Sequence, residues 1–348
     1  TSQVARAVVA DISRDRPAGL RDADLNPSRP GVLASTGLYA KRAHYTFIFT
    51  LRDPGVLQVL RLMAPRVLGL SFGQLNHLLI QFMAQSMVIG SIPALGLAWR
   101  IMIMPQGVIG QALAIAAFPT FATLAARSAL DEMRRIIADT LRLIFYFSLP
   151  AAILLMLLRV PIVTVLFERG RFDATATDFV AWALLFYALS LIGLAAIEII
   201  SRAFYAMEDT WTPVLIGMLQ LIAMWVLGLW LGRTLFPALD WLGLGGLALG
   251  YTISTLLELV LLLWLLRRKM GGLDGRRLLD GLWRMVLASL LMAGVTWIVF
   301  DQLSEAAVFW QLAVASLAGA LTYLGASLLF GVAELQQIVA SLRQRFKI

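Results

Sequence analysis

The chain has 348 residues, 60% of them hydrophobic and only 14% charged, with a mean hydropathy of +0.81. A soluble domain carries about 45–50% apolar and about 25% charged residues, so composition excludes one and predicts an all-α polytopic membrane protein. Net charge is +8, and a sequence without cysteine has no disulfide, no thiolate metal site and no thiol nucleophile.

The sequence opens on Thr1, and its first 40 residues hold no apolar stretch of the signal-peptide kind. It therefore reads as a fragment or a processed form. Residues 1–50 are polar and rich in Pro, Arg and Asp, which predicts a linker or disorder. In residues 51–66, Leu57, Leu60 and Met63 fall on one side and Arg61 and Arg66 elsewhere, as in an amphipathic helix at the cytoplasmic surface.

A span needs about 20 mostly apolar residues to cross about 30 Å of hydrocarbon. Eight stretches qualify: 67–89, 92–122, 143–166, 174–201, 212–232, 242–266, 283–300 and 306–332. The first six form a lobe over 67–268, the last two an additional pair over 283–332, and 333–348 a basic amphipathic tail. With an even number of spans, 24 of the 29 basic residues fall on the side of the termini and 4 on the other. That asymmetry predicts both termini of the segment in the cytoplasm. It also accounts for the positive charge without nucleic acid as a partner.

Arg100 lies about eight residues into the second stretch, roughly 12 Å along a helix. A cation at such depth costs several kcal/mol, so it must face a wet cavity, a partner or an anionic ligand; the plainer alternative is that it snorkels outward or pairs with a structural carboxylate. Pro105 and Gly107 follow, and a proline removes a backbone donor and is expected to break the helix there. A charge beside a broken span marks a transport site, with Pro105 and Gly107 as its hinge. Along the first span run Gln74, Asn76, His77, Gln81 and Gln85. Positions 74, 77, 81 and 85 share one face; they serve either as interhelical glue or, the favoured reading, as a cavity wall touching a polar head group. His77 has no second metal ligand nearby, so no metal is expected. Glu198 is a candidate for ion coupling, but Arg202 four residues on offers a local ion pair. Glu258 can reach the interface. Asp139 and Arg142 are expected to pair locally at i,i+3.

Gly243-x-Gly245-x-x-Ala248 formally matches a dinucleotide fingerprint, but that motif needs a strand before it. Between two spans, these glycines with Gly246 and Gly250 predict close helix packing instead. No nucleophile–base group, H-E-x-x-H or aspartate pair occurs in any span. Neither an enzyme nor a cofactor is expected.

Three stretches together resemble the MurJ/MviN family, the lipid II flippases of the MOP transporter superfamily. They are LAWRIMIMPQGVIGQALAIAAFPTFATLAA (97–126), VLFERGRFDATAT (165–177) and RAFYAMEDTWTPV (202–214). The similarity covers roughly 50–335. It implies a C-terminal lobe plus two helices bordering a groove for a lipid tail, with the N-terminal lobe of the same protein outside this segment. It further implies a polyprenyl diphosphate-linked sugar–peptide as substrate, among membrane lipids in the bacterial cytoplasmic membrane. On the family's motif Arg100 matches an essential cavity arginine. Many members carry acids just before it and three residues after it, where this chain has Trp99 and Ile103. Spans broken at Pro105, Pro150 and Pro161 would allow bending between inward- and outward-open states. The rival readings are another MOP transporter (a polysaccharide exporter or a multidrug antiporter) and a non-transporting scaffold for cell-wall enzymes.

Overall fold

A computed structural model of the protein describes residues 69, 71–170, 172–272, 275–332 and 334–335. The expected linker at 1–50, the amphipathic helix at 51–66 and all but Glu334 and Leu335 of the expected tail lie outside the described residues. Those described are helical throughout, joined by short turns.

Helix α1 occupies 71–84. After a turn with Gly90 at φ +100°, α2 runs over Ser91–Gln106, a π-helical turn over Gly107–Gln111, and α3 over Ala112–Ala126. Helix α4 spans Leu130–Leu157, α5 Arg159–Phe167, α6 Ala174–Tyr187 and α7 Ser190–Ala206. Helix α8 covers Trp211–Trp230, continues through a second π-helical turn at Leu231–Leu235, and ends in the short α9, Phe236–Ala238. Then come α10 at Gly243–Lys269, α11 at Gly275–Gln302 and α12 at Val308–Leu329.

Six of the described stretches are long and apolar enough to cross a membrane: Ser91–Ala126, Leu130–Leu157, Trp211–Ala238, Gly243–Lys269, Leu279–Gln302 and Val308–Leu329. A seventh results if α6 and α7, bent by 45°, count as one span. The first of the eight stretches expected is represented by α1, which is too short in the described residues to qualify alone.

The prolines correct the sequence reading. No span is broken at Pro105 or Pro150; both sit inside helices. Pro105 stays inside α2, and the turn that follows it, Gly107–Gln111, is π-helical, so the helix continues into α3. The one interruption in this part of the chain is at Leu158, three residues before Pro161, where α4 gives way to α5.

Three buried clusters hold the helices together. One joins α1, α2, α6 and α10 through Met83, Leu95, Met102, Leu184, Tyr187 and Leu247. A second joins α3, α4, α7 and α10 through Phe121, Ile137, Leu141, Ile200, Phe204 and Leu262. The third seats the α11–α12 pair on α4 through Tyr146, Met285, Met292 and Tyr323, where the Tyr323 hydroxyl donates to the Tyr146 carbonyl at 2.7 Å. Large apolar side chains such as Trp283, Leu290, Trp297, Leu317 and Leu328 lie exposed on that pair. On a spanning helix such a surface is solvated by lipid tails.

Glycines bring α8 and α10 into backbone contact, as expected for residues 243–250. A Cβ on Gly246 would stand 2.6 Å from the Leu231 backbone, and one on Gly250 2.9 Å from Gly228.

Candidate functional site

Arg100 is the tenth of the 36 residues of the stretch Ser91–Ala126, on the exposed face of α2 that also carries Met104. Among the described residues no ion pair or hydrogen bond holds its guanidinium. A structural carboxylate partner, one of the possibilities raised by the sequence, is therefore not observed there. What fixes this stretch of helix is its other side, where Ala98, Ile101 and Met102 are buried in the core.

The polar residues of α1 divide into two groups. His77 and Gln81 line a shallow recess together with Ile80, Ile92, Leu95, Gly96 and Tyr187. Gln74 and Gln85 are exposed and lie outside that recess. Asn76 points the other way and is buried. Its amide donates to Gln220 Oε1 of α8 at 2.6 Å, and the Gln220 amide donates to Ser254 Oγ of α10 at 3.0 Å. Asn76 is thus glue between three helices, one of the two roles foreseen for the stripe; Gln220 and Ser254 were not singled out by the sequence. Gln220 is a lone polar residue in an apolar run and Ser254 one of three hydroxyl residues within 252–255, and only the helix arrangement makes them partners.

The larger omission is aromatic. Trp99, next to Arg100, packs edge-on against Tyr251 of α10, with ring centroids 5.0 Å apart, and against Tyr187 of α6 at 5.8 Å. Its indole also meets the His77 ring at 6.4 Å. A tryptophan, two tyrosines and a histidine from four helices thus meet at the residue that precedes Arg100. No local pattern connects positions 77, 99, 187 and 251.

Acidic groups in and near the spans are mostly tied. Glu198 pairs with Arg202 at 3.5 Å, the local pair its spacing offered. Arg142, expected to pair locally with Asp139, makes its ion pair with Glu334, which follows α12. Glu258 is partly exposed and faces Gly217 of α8. In the loop between α7 and α8, burial raises the Asp209 carboxyl. Hydrogen bonds from Lys269 and from the backbone and hydroxyl of Thr212 outweigh it and hold the group below the usual carboxylate range. No group of three or more potential metal ligands occurs among the described residues.

Chemically, the arrangement offers an exposed planar cation, unpaired among the described residues, on a helix long and apolar enough to cross a membrane. A guanidinium of that kind can bind a phosphate or diphosphate through two parallel hydrogen bonds.

The family described as lipid II flippase MurJ matches residues 33–317. Among similar proteins is the "Lipid II flippase MurJ" of Burkholderia cenocepacia, 31% identical over 219 residues that cover 63% of this chain and 41% of the relative. The Vibrio cholerae protein named "Probable lipid II flippase MurJ" is 30% identical over 212 residues, covering 61% and 39%. The chain thus spans about two fifths of the length of these curated relatives. Its fold is similar to a solved "Lipid II flippase MurJ, inward closed conformation", with a TM-score of 0.66, 20% identity, and coverage of 88% of this chain and 60% of that one. A MATE structure in the bent conformation is similar at a TM-score of 0.53 and 15% identity, over 80% of this chain and 67% of that one.

Proposed function

The chain belongs to the lipid II flippase MurJ family, and on that premise we propose that it serves to carry the polar head of a polyprenyl diphosphate-linked sugar–peptide across the bacterial cytoplasmic membrane. The lipid tail stays in the hydrocarbon while the head follows a polar, positive path. The observation that carries this reading is Arg100: a guanidinium ten residues into an apolar stretch, exposed, with no ion pair among the described residues. A cation left unpaired at that depth costs about 2.5–3.5 kcal/mol, a cost offset when an anionic ligand arrives.

In this reading Arg100 grips the diphosphate, and His77 and Gln81 contact uncharged parts of the head from the recess beside it, with Gln74 further along α1. The π-helical turn after Pro105, opened by Gly107, lets α2 and α3 change direction between inward- and outward-open states without leaving the helix. The Arg202 partner supports a structural role for Glu198 rather than ion coupling. Both termini of the segment face the cytoplasm, and the rest of the transporter supplies the opposing lobe. No covalent step is required, so the protein acts as a transporter rather than an enzyme. The relatives matched favour this reading over a polysaccharide exporter, a multidrug antiporter or a scaffold.

The test is made on the protein expressed from its own full reading frame, in cells depleted of their flippase. Arg100→Ala is expected to abolish the appearance of lipid-linked precursor on the outer face without reducing membrane abundance. Arg100→Lys, which keeps a point charge but loses the fork, should fall between. Normal flipping by Arg100→Ala overturns the assignment.

A further inference from the structure

We propose that Trp99 is a positioning residue that aims Arg100, by keying α2 into an aromatic cluster and so fixing the direction in which the neighbouring guanidinium is presented. The inference rests on the head-group role of Arg100. Successive residues on an α-helix project about 100° apart, so whatever sets the azimuth of residue 99 sets that of residue 100.

Trp99 meets Tyr251 at an interplanar angle of 88° and Tyr187 at 75°. The two tyrosines are edge-on to each other with centroids 5.8 Å apart, so three rings close on one another. Tyr187 and Tyr251 are themselves 1% and 6% exposed, each locked in a different helix. Contacts of this kind depend on orientation as well as distance, so a rotation of α2 breaks several at once. Of the buried residues around it, Ala98 and Ile101 make apolar contacts that have no such directional demand, while the Met102 sulfur accepts one long hydrogen bond, from Ser190 Oγ of α7 at 3.7 Å. Gly96, one turn before Arg100, has open space where a Cβ would be and adds no restraint. With no described partner holding its tip, the arginine is aimed by its backbone, and its backbone is keyed by the indole.

The test reads helix azimuth separately from transport. Single cysteines replace Met104, 68% exposed on the Arg100 face, or Met102, fully buried. Both are probed in membranes with an impermeant methanethiosulfonate reagent. Met104→Cys should react much faster than Met102→Cys. Adding Trp99→Ala should narrow that ratio about tenfold, the order expected for losing two edge-to-face contacts. Outer-face precursor should fall in parallel at unchanged membrane abundance. Trp99→Phe should preserve both, because a ring edge remains. If Trp99→Ala does not accumulate, Tyr251→Leu, which keeps bulk but removes the ring, should narrow the ratio in the same way. An unchanged ratio in these variants overturns the proposal, as does a narrowed ratio with wild-type transport. Arg100→Ala run alongside separates the two claims, since normal flipping there overturns the head-group reading instead.

Discussion

Arg142 is a side chain whose partner could not be found by local spacing. Its guanidinium is 10% exposed and the Glu334 carboxylate 4%, so both charges have left water and each depends on the other. The pair ties α4 to the segment after α12. Gly281 of α11 is part of the arrangement, because a Cβ there would lie 3.1 Å from Arg142 Nε. Removing one partner of such a pair costs about 3–5 kcal/mol, whereas replacing both by apolar groups is often neutral. Arg142→Ala is therefore expected to lower the thermal midpoint of the detergent-solubilised protein sharply. Arg142→Met combined with Glu334→Leu should recover most of the loss. A double variant as unstable as the single would show that the pair contributes more than mutual neutralisation. The Asn76–Gln220 contact is a milder case. Hydrogen bonds between spanning helices average about 0.6 kcal/mol, so Asn76→Ala should shift the midpoint by a few degrees at most.

Among the elements, α8 and α10 approach so closely that glycine is the side chain geometry allows. Gly246→Val would place its Cβ against the Leu231 backbone, which cannot yield as a flexible side chain would. Overpacking costs about 1–3 kcal/mol where neighbours can adjust, and backbone on backbone should reach the upper end. Membrane abundance measured beside that of Gly217→Val, whose Cβ has nothing closer than 3.8 Å, gives the control. The α7–α8 connection makes a pH-dependent prediction. Asp209 accepts the free Thr212 N–H of the first turn of α8 and bonds Lys269 at the end of α10. Its folded pKa is lowered, so its contribution is fully present above the ordinary value of about 3.9 and is lost as pH falls through the lower folded value. Asp209→Asn, which keeps an acceptor for the Thr212 N–H but loses the charge facing Lys269, should lower stability at neutral pH by up to about 1 kcal/mol. The difference from the parent should close in acid below about pH 4.

For the whole molecule the decisive quantity is which end of each span faces the cytoplasm. If the basic side is cytoplasmic, a cysteine at Arg135, near the start of α4, should be shielded from an impermeant reagent added outside intact cells. One at Ser304, between α11 and α12, should be labelled; equal labelling of both would refute the orientation. Residues 1–348 supplied alone should not restore growth to flippase-depleted cells, because alternating access in this reading needs an opposing lobe. Rescue would mean that two copies assemble into a working transporter.

Much of this was written in the sequence, because lipid imposes strict local rules. Twenty apolar residues must become a helix when no water is present to satisfy the backbone. That rule gave the all-α class and placed five of the six qualifying spans to within a few residues; the expected 143–166 missed both ends of Leu130–Leu157, because the chain breaks at Leu158 and α5 follows. Arg100 stood out for the same reason: a cation within such a run is conspicuous whatever surrounds it. The glycines of α10 declared close packing because side chains were missing where bulk would otherwise be expected. Other features depended on which helices became neighbours. The Trp99 cluster, the Asn76–Gln220–Ser254 chain and the Arg142–Glu334 pair each join residues 174 to 192 positions apart at their extremes, and nothing in one helix specifies its contacts in another. Pro105 shows the remaining gap. The sequence located the missing donor, but whether the helix breaks or widens around it is decided by the packing of neighbouring helices, here including Gly110 against Ala195 of α7. That packing kept α2 and α3 on one line of chain through a π-helical turn.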